Sequence, residues 1–235
     1  MQENKYRHEY KYYIYQTQQR LLETKIKTCM RLDPHVNNGT YNIRSLYFDD
    51  IYNSCFYDNE NGTDPREKYR IRIYDHSKDK ITLECKRKEN GKTLKTSCPL
   101  TEDQCRILMK GEVISNYKDL DPLIKKLSVK MLNNGFKPSI IIEYDRIPFV
   151  FPSGNVRVTF DTNISSSNYT DLFLEDVIPK RGIMPIGMNL LEVKFDEFLP
   201  DTIYNCLQMD SLNWTSFSKF YLGRCYELGK NVFNK

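Results

Sequence analysis

The feature that most constrains this chain is a repeated alternation of charged and apolar side chains. Residues 68–74 read KYRIRIY, with a basic residue at every second position near the start and tyrosine or isoleucine between them. Successive side chains of a β-strand point to opposite faces, so residues two apart share a face. Residues 7–11, 84–88 and 192–194 repeat the pattern. The alternation therefore predicts β-strands with one charged face and one mostly apolar face.

Strands of this kind recur along the chain, and helical patterns interrupt them at a few places. Amphipathic helices are expected at 17–30, within 101–134 and near 202–209. Turn residues such as Asn90-Gly91 join neighbouring strands as hairpins. Strands are predicted at residues 7–15, 41–48, 68–74, 81–88, 93–100, 139–147, 155–160, 172–177 and 189–195. We therefore expect an α+β fold, predominantly antiparallel β, built as a barrel with peripheral helices.

The size, charge and motif content of the chain argue against several classes of function. The 235 residues contain no internal repeat and no low-complexity linker, which predicts a single domain over residues 1–235. The net charge of +4 comes from 35 Lys and Arg against 31 Asp and Glu, which argues against a nonspecific nucleic-acid partner. The motifs of P-loop proteins, α/β-hydrolases and zincins are absent from the sequence. Any anion site must therefore come from local arrangement.

Neither a secretion signal nor a membrane span is visible in the sequence. Residues 1–16 lack the apolar core of a signal peptide, and apolar runs such as 140–142 are far shorter than a membrane span. The seven cysteines form no C-x-x-C pair, which is typical of reduced thiols. These features predict a cytoplasmic protein, with any membrane association coming through protein partners that the sequence does not identify.

The repetition of the charged alternation matters for the inside of a barrel. On any one strand, alternation is typical of a core face and a solvated face. Here nearly every strand carries Arg or Lys near its centre. In a closed barrel these centres converge on one axis, where like charges repel unless a polyanion lies between them. Arginines bind phosphate oxygens through two hydrogen bonds and lysines act as point charges, a combination that suits a chain of phosphates.

A few carboxylates accompany the cations. Glu192 lies between apolar neighbours in the middle of a strand, which makes it the first candidate ligand for Mg²⁺ or Mn²⁺ bridging phosphate oxygens. Glu9 and Glu84 are the next candidates. As an alternative, each carboxylate pairs with an adjacent lysine and only lowers the net charge of the interior.

Eight segments of the chain, taken in order, closely resemble the VTC domain. They read RHEYKYYI, SLYFDD, KYRIRIY, LECKRKENGK, EYDR, VRVTFD, LLEVKFDEFLP and SFSKFYLG. The VTC domain is the polyphosphate-polymerase branch of the triphosphate tunnel metalloenzymes, within the CYTH-like superfamily. The resemblance extends from about Tyr6 to Arg224. It implies an eight-stranded β-barrel, the triphosphate tunnel, that binds ATP and a growing inorganic polyphosphate chain.

The resemblance also implies roles for individual residues. Catalytic phosphate contacts are expected from Lys11, Arg70, Arg72, Lys86, Arg146, Arg157 and Lys219. Further substrate contacts are expected from Lys88, Lys95, Tyr144, Ser218 and Glu9. Glu192 is expected to bind the metal, Mn²⁺ or Mg²⁺. The implied activity is transfer of the γ-phosphoryl group of ATP to polyphosphate.

The first strand departs from the pattern of the tunnel hydrolases. Those enzymes carry E-x-E-x-K on this strand, whereas the equivalent positions here are Arg7, Glu9 and Lys11. The replacement of one acid by a base favours the polymerase over hydrolysis. Two alternatives stay open at this point: a tunnel triphosphatase that hydrolyses inorganic triphosphate or nucleoside triphosphates, and a non-catalytic module that binds polyphosphate.

Overall fold

The computed structural model describes residues 6–34, 36, 39–115, 119–208, 210, 212–230 and 232–233. Within these ranges the chain forms ten β-strands and six α-helices. The strands are β1 (His8–Tyr15), β2 (Arg31–Leu32), β3 (Tyr41–Asp49), β4 (Arg66–Tyr74), β5 (Ser77–Glu89), β6 (Lys92–Leu100), β7 (Lys137–Phe151), β8 (Val156–Ser167), β9 (Arg181–Gly182) and β10 (Met188–Phe195). The helices are α1 (Gln16–Ile26), α2 (Ser54–Glu60), α3 (Glu102–Met109), α4 (Pro122–Asn134), α5 (Asp201–Leu207) and α6 (Lys219–Glu227).

Eight strands follow one another in a single antiparallel sheet, in the order β1-β10-β8-β7-β3-β4-β5-β6. The short strands β2 and β9 pair with β7 and β8. The two edges of the sheet meet at a bridge between Arg7 and Thr93, where each backbone N–H donates to the other residue's carbonyl oxygen at 3.0 and 3.1 Å. The sheet is therefore curled onto itself, and the predicted antiparallel barrel with peripheral helices is confirmed.

Beyond this bridge, residues 214–218 cover the free edge of β1 and lead into α6. Trp214 forms an isolated antiparallel bridge with Tyr12, and the N–H of Thr215 donates to the carbonyl oxygen of Lys11 at 2.9 Å. Backbone groups at an uncovered sheet edge would otherwise be open to pairing with another chain. The segment thus extends the barrel wall on the side where β1 and β6 no longer pair.

The apolar faces of the strands point outward, beneath the helices. Ile71 of β4 and Leu83 of β5 belong to one buried cluster with Leu127 of α4. Leu191 of β10 belongs to a second buried cluster with Ile26 of α1. Because side chains alternate along a strand, burying these residues outside the barrel turns their charged neighbours inward. Packing against the peripheral helices therefore determines which face of each strand lines the interior.

Two of the helix predictions need correction. Helix α1 ends at Ile26 instead of residue 30, and residues 101–134 form two helices, α3 and α4, instead of one helical stretch. The break has a local cause, since Gly111 has a φ of 76° just after α3 and Pro122 opens α4. The helix near 202–209 is confirmed as α5 up to Leu207, and residue 209 lies outside the described residues. None of the described helices has the length and hydropathy to span a membrane.

The strand predicted at 172–177 is wrong, because Thr170–Leu172 form a 3₁₀ turn and bends follow it. The buried guanidinium group of Arg44 on β3 gives the physical reason. It donates to the carbonyl oxygens of Phe173 and Asp176, both at 3.1 Å. A side chain therefore satisfies carbonyl groups that a neighbouring strand would have bound.

Helix α2 has no counterpart among the sequence predictions. Its N-cap residue, Asn53, has a φ of 59° and makes no side-chain cap. Instead, carboxylate oxygens of Asp49 and Asp50 accept hydrogen bonds from the N–H groups of Cys55 and Ser54, both at 2.9 Å. The cap therefore comes from the end of β3, upstream of the position at which capping residues are normally found.

Candidate functional site

A cavity lined mainly by cations lies inside the barrel. Residues of β1, β3, β4, β5, β6, β7 and β10, of α2 and of the segment 214–220 line it. Ten Lys and Arg residues line it against two glutamates, Glu9 and Glu192. The ten are Lys11, Arg66, Lys68, Arg70, Arg72, Lys86, Lys88, Arg146, Lys194 and Lys219. Such an excess of positive charge in a confined space favours a bound polyanion.

Eleven of the thirteen predicted site residues line this cavity. They are Lys11, Arg70, Arg72, Lys86, Arg146, Lys219, Lys88, Tyr144, Ser218, Glu9 and Glu192. Arg157 and Lys95 are not among the lining residues. Arg157 donates to the hydroxyl of Tyr41 at 2.8 Å and pairs with Asp33 at 2.9 Å. Lys95 is half-exposed and pairs with Glu84 at 3.2 Å.

The two lining glutamates lie among lysines of β1, β5 and β10. Lys86 donates to Glu9 at 2.5 Å, and Lys194 lies 3.4 Å from Glu9 and 3.3 Å from Glu192. Lys11 is 3.8 Å from both carboxylates. Burial disfavours the charged carboxylates, but the nearby lysines outweigh burial and lower the pKa of Glu9 and Glu192. Both glutamates are therefore ionised at neutral pH.

A buried carboxylate behind the lining fixes two of its cations. Arg146 donates to both oxygens of Asp161 at 2.7 Å, and Lys219 donates to one of them at 2.6 Å. Burial raises the pKa of Asp161, but Arg146 and Lys219 outweigh burial, so that the net shift is downward. Asp161 on β8 thus holds one cation from β7 and one from α6 in defined positions.

Glu84 of β5 does the same for the arginines of β4. Its Oε2 atom is 2.6 Å from Arg70 and 3.6 Å from Arg72, and its side chain is buried. Arg70 also donates to the hydroxyl of Tyr47 at 2.9 Å. Arg72 donates to Ser45 Oγ at 3.1 Å. Glu84, a candidate metal ligand in the sequence, is therefore engaged in ion pairs and does not line the cavity.

Lys68 lies in a part of the cavity with little negative charge. Its Nζ atom donates to neutral oxygens, namely the side-chain carbonyl of Asn59 and, at 3.0 Å, the hydroxyl of Ser218. Burial lowers the pKa of Lys68 well below its ordinary value, and the positive charges of Arg66 and Lys11 lower it further. A bound anion would restore the charge of this ammonium group.

Two lysines of β5 are in a similar situation. Burial lowers the pKa of Lys86 to about 7, because desolvation and the charge of Lys11 together outweigh the nearby carboxylate of Glu9. Burial also lowers the pKa of Lys88, with Arg66 and Lys11 contributing in the same direction. Negative charge that enters the cavity therefore stabilises the protonated form of Lys86 and Lys88.

Helix α6 begins at the cavity. Ser218 is its N-cap residue, and its Oγ accepts a hydrogen bond from the N–H of Tyr221 at 3.3 Å. Lys219 follows at the first helical position, and its Nζ lies 4.4 Å from the ring centroid of Tyr144. The cap brings the two polar groups that the sequence resemblance assigns to phosphate to one side of the lining.

The two carboxylates of the lining suit a divalent cation that takes its remaining ligands from phosphate and water. Glu9 Oε1 is buried and accepts no hydrogen bond within the described part of the chain. Lys11 and Lys194 each lie within 3.8 Å of both Glu9 and Glu192, so the two carboxylates are close to each other. Among the described residues, no group of three or more His, Cys, Asp or Glu is placed to hold a metal. Mg²⁺ is commonly held by one or two carboxylates, with phosphates and water completing its shell, and Glu9 with Glu192 fit that pattern.

Several polar lining residues fall outside the predicted set. Lys68 and Lys194 share the charged faces of β4 and β10, so the alternation could have identified them. Arg66 precedes the predicted start of β4. Asn59 lies on α2, which was not predicted. Tyr47 lies on β3, where the sequence shows no alternating cations on the inward face. The last two therefore give no signal in the sequence.

Comparisons with known proteins agree with this architecture. A family model of the VTC domain matches residues 6–227. A comparison with curated protein sequences finds no significant match. Among solved structures, a candidate adenylate cyclase from Vibrio parahaemolyticus has a TM-score of 0.53 at 8% identity, covering 94% of this chain and 98% of that one. The PH1012 protein from Pyrococcus horikoshii has a TM-score of 0.50 at 12% identity, covering 92% and 98%.

A third solved structure is a candidate adenylyl cyclase from Hippeastrum with a dominant triphosphatase activity, which has a TM-score of 0.49 at 14% identity and covers 97% of each chain. At such identities the first two likenesses concern the fold, and they support the antiparallel barrel described above. The family match identifies a family as well as a fold, and it extends over residues 6–227. On this match, the chain belongs to the VTC domain family.

Proposed function

We propose that the protein is a metal-dependent polyphosphate polymerase that transfers the γ-phosphoryl group of ATP to a growing inorganic polyphosphate chain. The observation that carries the proposal is the cavity inside the barrel, where ten Lys and Arg residues face two glutamates. Membership of the VTC domain family supports it. ATP and inorganic polyphosphate are thus the proposed ligands.

A phosphate chain supplies the charge that the cavity lacks. Lys68, Lys86 and Lys88 are disfavoured in their charged form by burial and by neighbouring cations. Phosphate oxygens carry negative charge and accept several charge-assisted hydrogen bonds each. A linear triphosphate or polyphosphate therefore neutralises several of these lysines at once, which a single small anion does not.

The fixed cations suit phosphoryl transfer. Asp161 orients Arg146 and Lys219, and Glu84 orients Arg70 and Arg72, so that cations of two walls are held before any ligand enters. Phosphoryl transfer spreads charge over the equatorial oxygens and depends mainly on positioning and electrostatic stabilisation. The attacking oxygen of a terminal phosphate is already ionised, so the transfer requires no general base.

Glu9 and Glu192 are the proposed ligands for Mn²⁺ or Mg²⁺. When bound, such a cation neutralises charge on the donor phosphates. Lys11 and Lys194 contribute indirectly, because their charges keep both carboxylates ionised and therefore able to bind a metal.

The position of Arg7 supports transfer over hydrolysis. It replaces the first acid of the E-x-E-x-K pattern of tunnel hydrolases, and its guanidinium pairs with Asp196 at 2.8 Å and donates to the carbonyl oxygen of Asn155 at 2.5 Å. Arg7 does not line the cavity. The lining therefore keeps two carboxylates, Glu9 and Glu192, both surrounded by lysines. With fewer carboxylates available to orient a water molecule, this lining favours transfer to phosphate over hydrolysis.

Incubation of the purified protein with ATP and Mn²⁺, and in parallel with Mg²⁺, tests the proposal. The products are separated on a gel and stained for polyphosphate. We expect a ladder that lengthens with time, together with stoichiometric ADP. Orthophosphate as the only phosphate product would assign the protein to the tunnel triphosphatases. Binding of polyphosphate with no turnover of ATP would assign it to the binding modules.

A further inference from the structure

The rim of the cavity carries an exposed indole. Trp214 is the single tryptophan of the chain, and it lines the cavity while 64% of its surface stays exposed. Isolated exposed apolar residues are common on protein surfaces, so exposure alone says little. The position is more informative, because the neighbouring lining is almost entirely cationic and polar.

The other aromatic rings of the lining already contact cations. Tyr47, Tyr144, Phe217 and Phe220 are buried, and each has a lysine or arginine over its ring, at 5.7, 4.4, 5.7 and 5.2 Å from the centroid. They stabilise the cations that surround the cavity. Trp214, in contrast, offers a large π-surface to solvent at the entrance.

The backbone around Trp214 is held in place. Trp214 pairs with Tyr12 in an isolated bridge, and the next residue, Thr215, donates to the carbonyl oxygen of Lys11 at 2.9 Å. The same segment continues to Ser218 of the lining. The backbone at Trp214 is therefore fixed beside the backbone of Lys11, on the segment that also carries proposed phosphate contacts.

We propose that Trp214 stacks on the nucleobase of the nucleoside triphosphate donor while the phosphates of the donor occupy the cationic cavity. This inference rests on the proposed function and adds a contact to the base of the donor, so that a nucleoside triphosphate binds more tightly than inorganic triphosphate. Stacking on an aromatic side chain contributes to binding for any base, because every base has a π-face. ATP and GTP therefore bind with similar affinity.

The single tryptophan makes the test direct. Wild-type protein is titrated with ATP and with inorganic triphosphate, both without divalent metal to prevent turnover, and indole fluorescence is excited outside the absorption band of the nucleotide. We expect ATP to quench the fluorescence and inorganic triphosphate to leave it nearly unchanged. Calorimetry on Trp214→Ala should show roughly tenfold weaker ATP binding with inorganic triphosphate unaffected, and Trp214→Phe should recover most of the loss.

The outcomes separate this inference from the function on which it rests. An equal loss of affinity for both ligands in Trp214→Ala would overturn the inference, because it would make the indole a structural element of the wall. The inference also fails, with the phosphate site intact, if inorganic triphosphate binds but ATP neither binds more tightly nor quenches the fluorescence. If neither ligand binds the wild-type protein, the proposed function itself is contradicted.

Discussion

Glu192 shows at the level of one residue how the cavity balances its charges. Its carboxylate lies 3.1 Å from Arg146, 3.3 Å from Lys194 and 3.8 Å from Lys11. Burial raises the pKa of Glu192, but these cations outweigh burial and hold the pKa well below its ordinary value. The same side chain is both the counter-charge of three cations and the proposed metal ligand, and these two roles predict opposite effects on anion binding.

Glu192→Gln separates the two roles, because it keeps the size of the side chain and removes its charge. We expect polyphosphate synthesis to fall roughly a hundredfold through loss of a metal ligand. Affinity for inorganic triphosphate, measured by calorimetry without metal, should stay equal or rise, since Arg146 and Lys194 lose an internal counter-charge.

Two further variants serve as controls for Glu192→Gln. Arg70→Ala removes a proposed phosphate contact and should weaken both synthesis and triphosphate affinity, the latter about tenfold or more. Glu102→Gln changes an exposed ion pair with Arg106 on α3 and should leave both unchanged. Wild-type synthesis in Glu192→Gln would show that the metal site is misplaced.

The lowered pKa of Lys86 predicts a dependence of anion binding on pH. In the free protein this pKa is about 7, because burial outweighs the pairing with Glu9. Below that value Lys86 is protonated both with and without ligand, so pH has little effect through this group. Above it, a bound polyanion raises the pKa and binding must take up a proton. Triphosphate affinity should therefore fall as pH rises above about 7.

Calorimetry in two buffers of different ionisation enthalpy measures this proton uptake. At about pH 8, where Lys86 is partly neutral in the free protein, we expect net uptake of protons on binding of inorganic triphosphate. Lys86→Arg keeps the positive charge across this range and should reduce the uptake. Proton release by the wild-type protein, after correction for the ionisation of triphosphate, would contradict the assignment.

At the scale of elements, local patterns predicted most strands. They missed helix α2 and the irregular stretch at 172–177, which depend on side chains outside those segments. Strands β4, β5 and β10 follow directly from alternation, a property of neighbouring residues. Helix α2 depends on capping by Asp49 from β3, and the wrong strand at 172–177 reflects carbonyl groups bound by Arg44. The contacts of Arg44 join residues far apart in sequence, and the cap of α2 comes from a residue upstream of the usual N-cap position, so propensity and periodicity reveal neither segment.

The turn between β7 and β8 gives a stability prediction at this scale. Gly154 has a φ of 71°, and a Cβ atom there would lie 2.6 Å from the carbonyl oxygen of Phe198. Gly62 has the same φ of 71° with nothing within 4 Å of a Cβ atom. Gly154→Ala should therefore lower the free energy of unfolding by about 1–3 kcal/mol more than Gly62→Ala, because only the former adds a steric clash. Chemical denaturation of both variants measures the difference, and equal losses would contradict the close contact.

At the scale of the whole molecule, the positive charge is concentrated inside. The chain has a net charge of +4, whereas the cavity alone is lined by ten Lys and Arg against two Glu, so the remaining residues are net acidic. The lining therefore attracts polyanions, whereas the residues outside it carry no net positive charge that would do so. This distribution supports the proposed phosphate-chain ligand.

Closure of the barrel is the part of the architecture that the sequence left least determined. The edges meet through Arg7 and Thr93, and residues 214–218 cover the edge beyond them. Pairing between distant segments has no local signature, so the eight-stranded barrel was expected from family resemblance. The same resemblance predicted the site residues, most of which line the cavity. Arg157 and Lys95 are not among the lining residues: Arg157 pairs with Asp33, and Lys95 is half-exposed and pairs with Glu84.

The central claim is that the interior cations bind a phosphate chain. A crystal structure of the protein with inorganic triphosphate tests it most directly. We expect the three phosphates inside the barrel, with oxygens within hydrogen-bond distance of Arg70, Arg146 and Lys219. Triphosphate bound only on the outer surface, with the interior filled by ordered water and the ion pairs of Glu84 and Asp161 unchanged, would contradict the account.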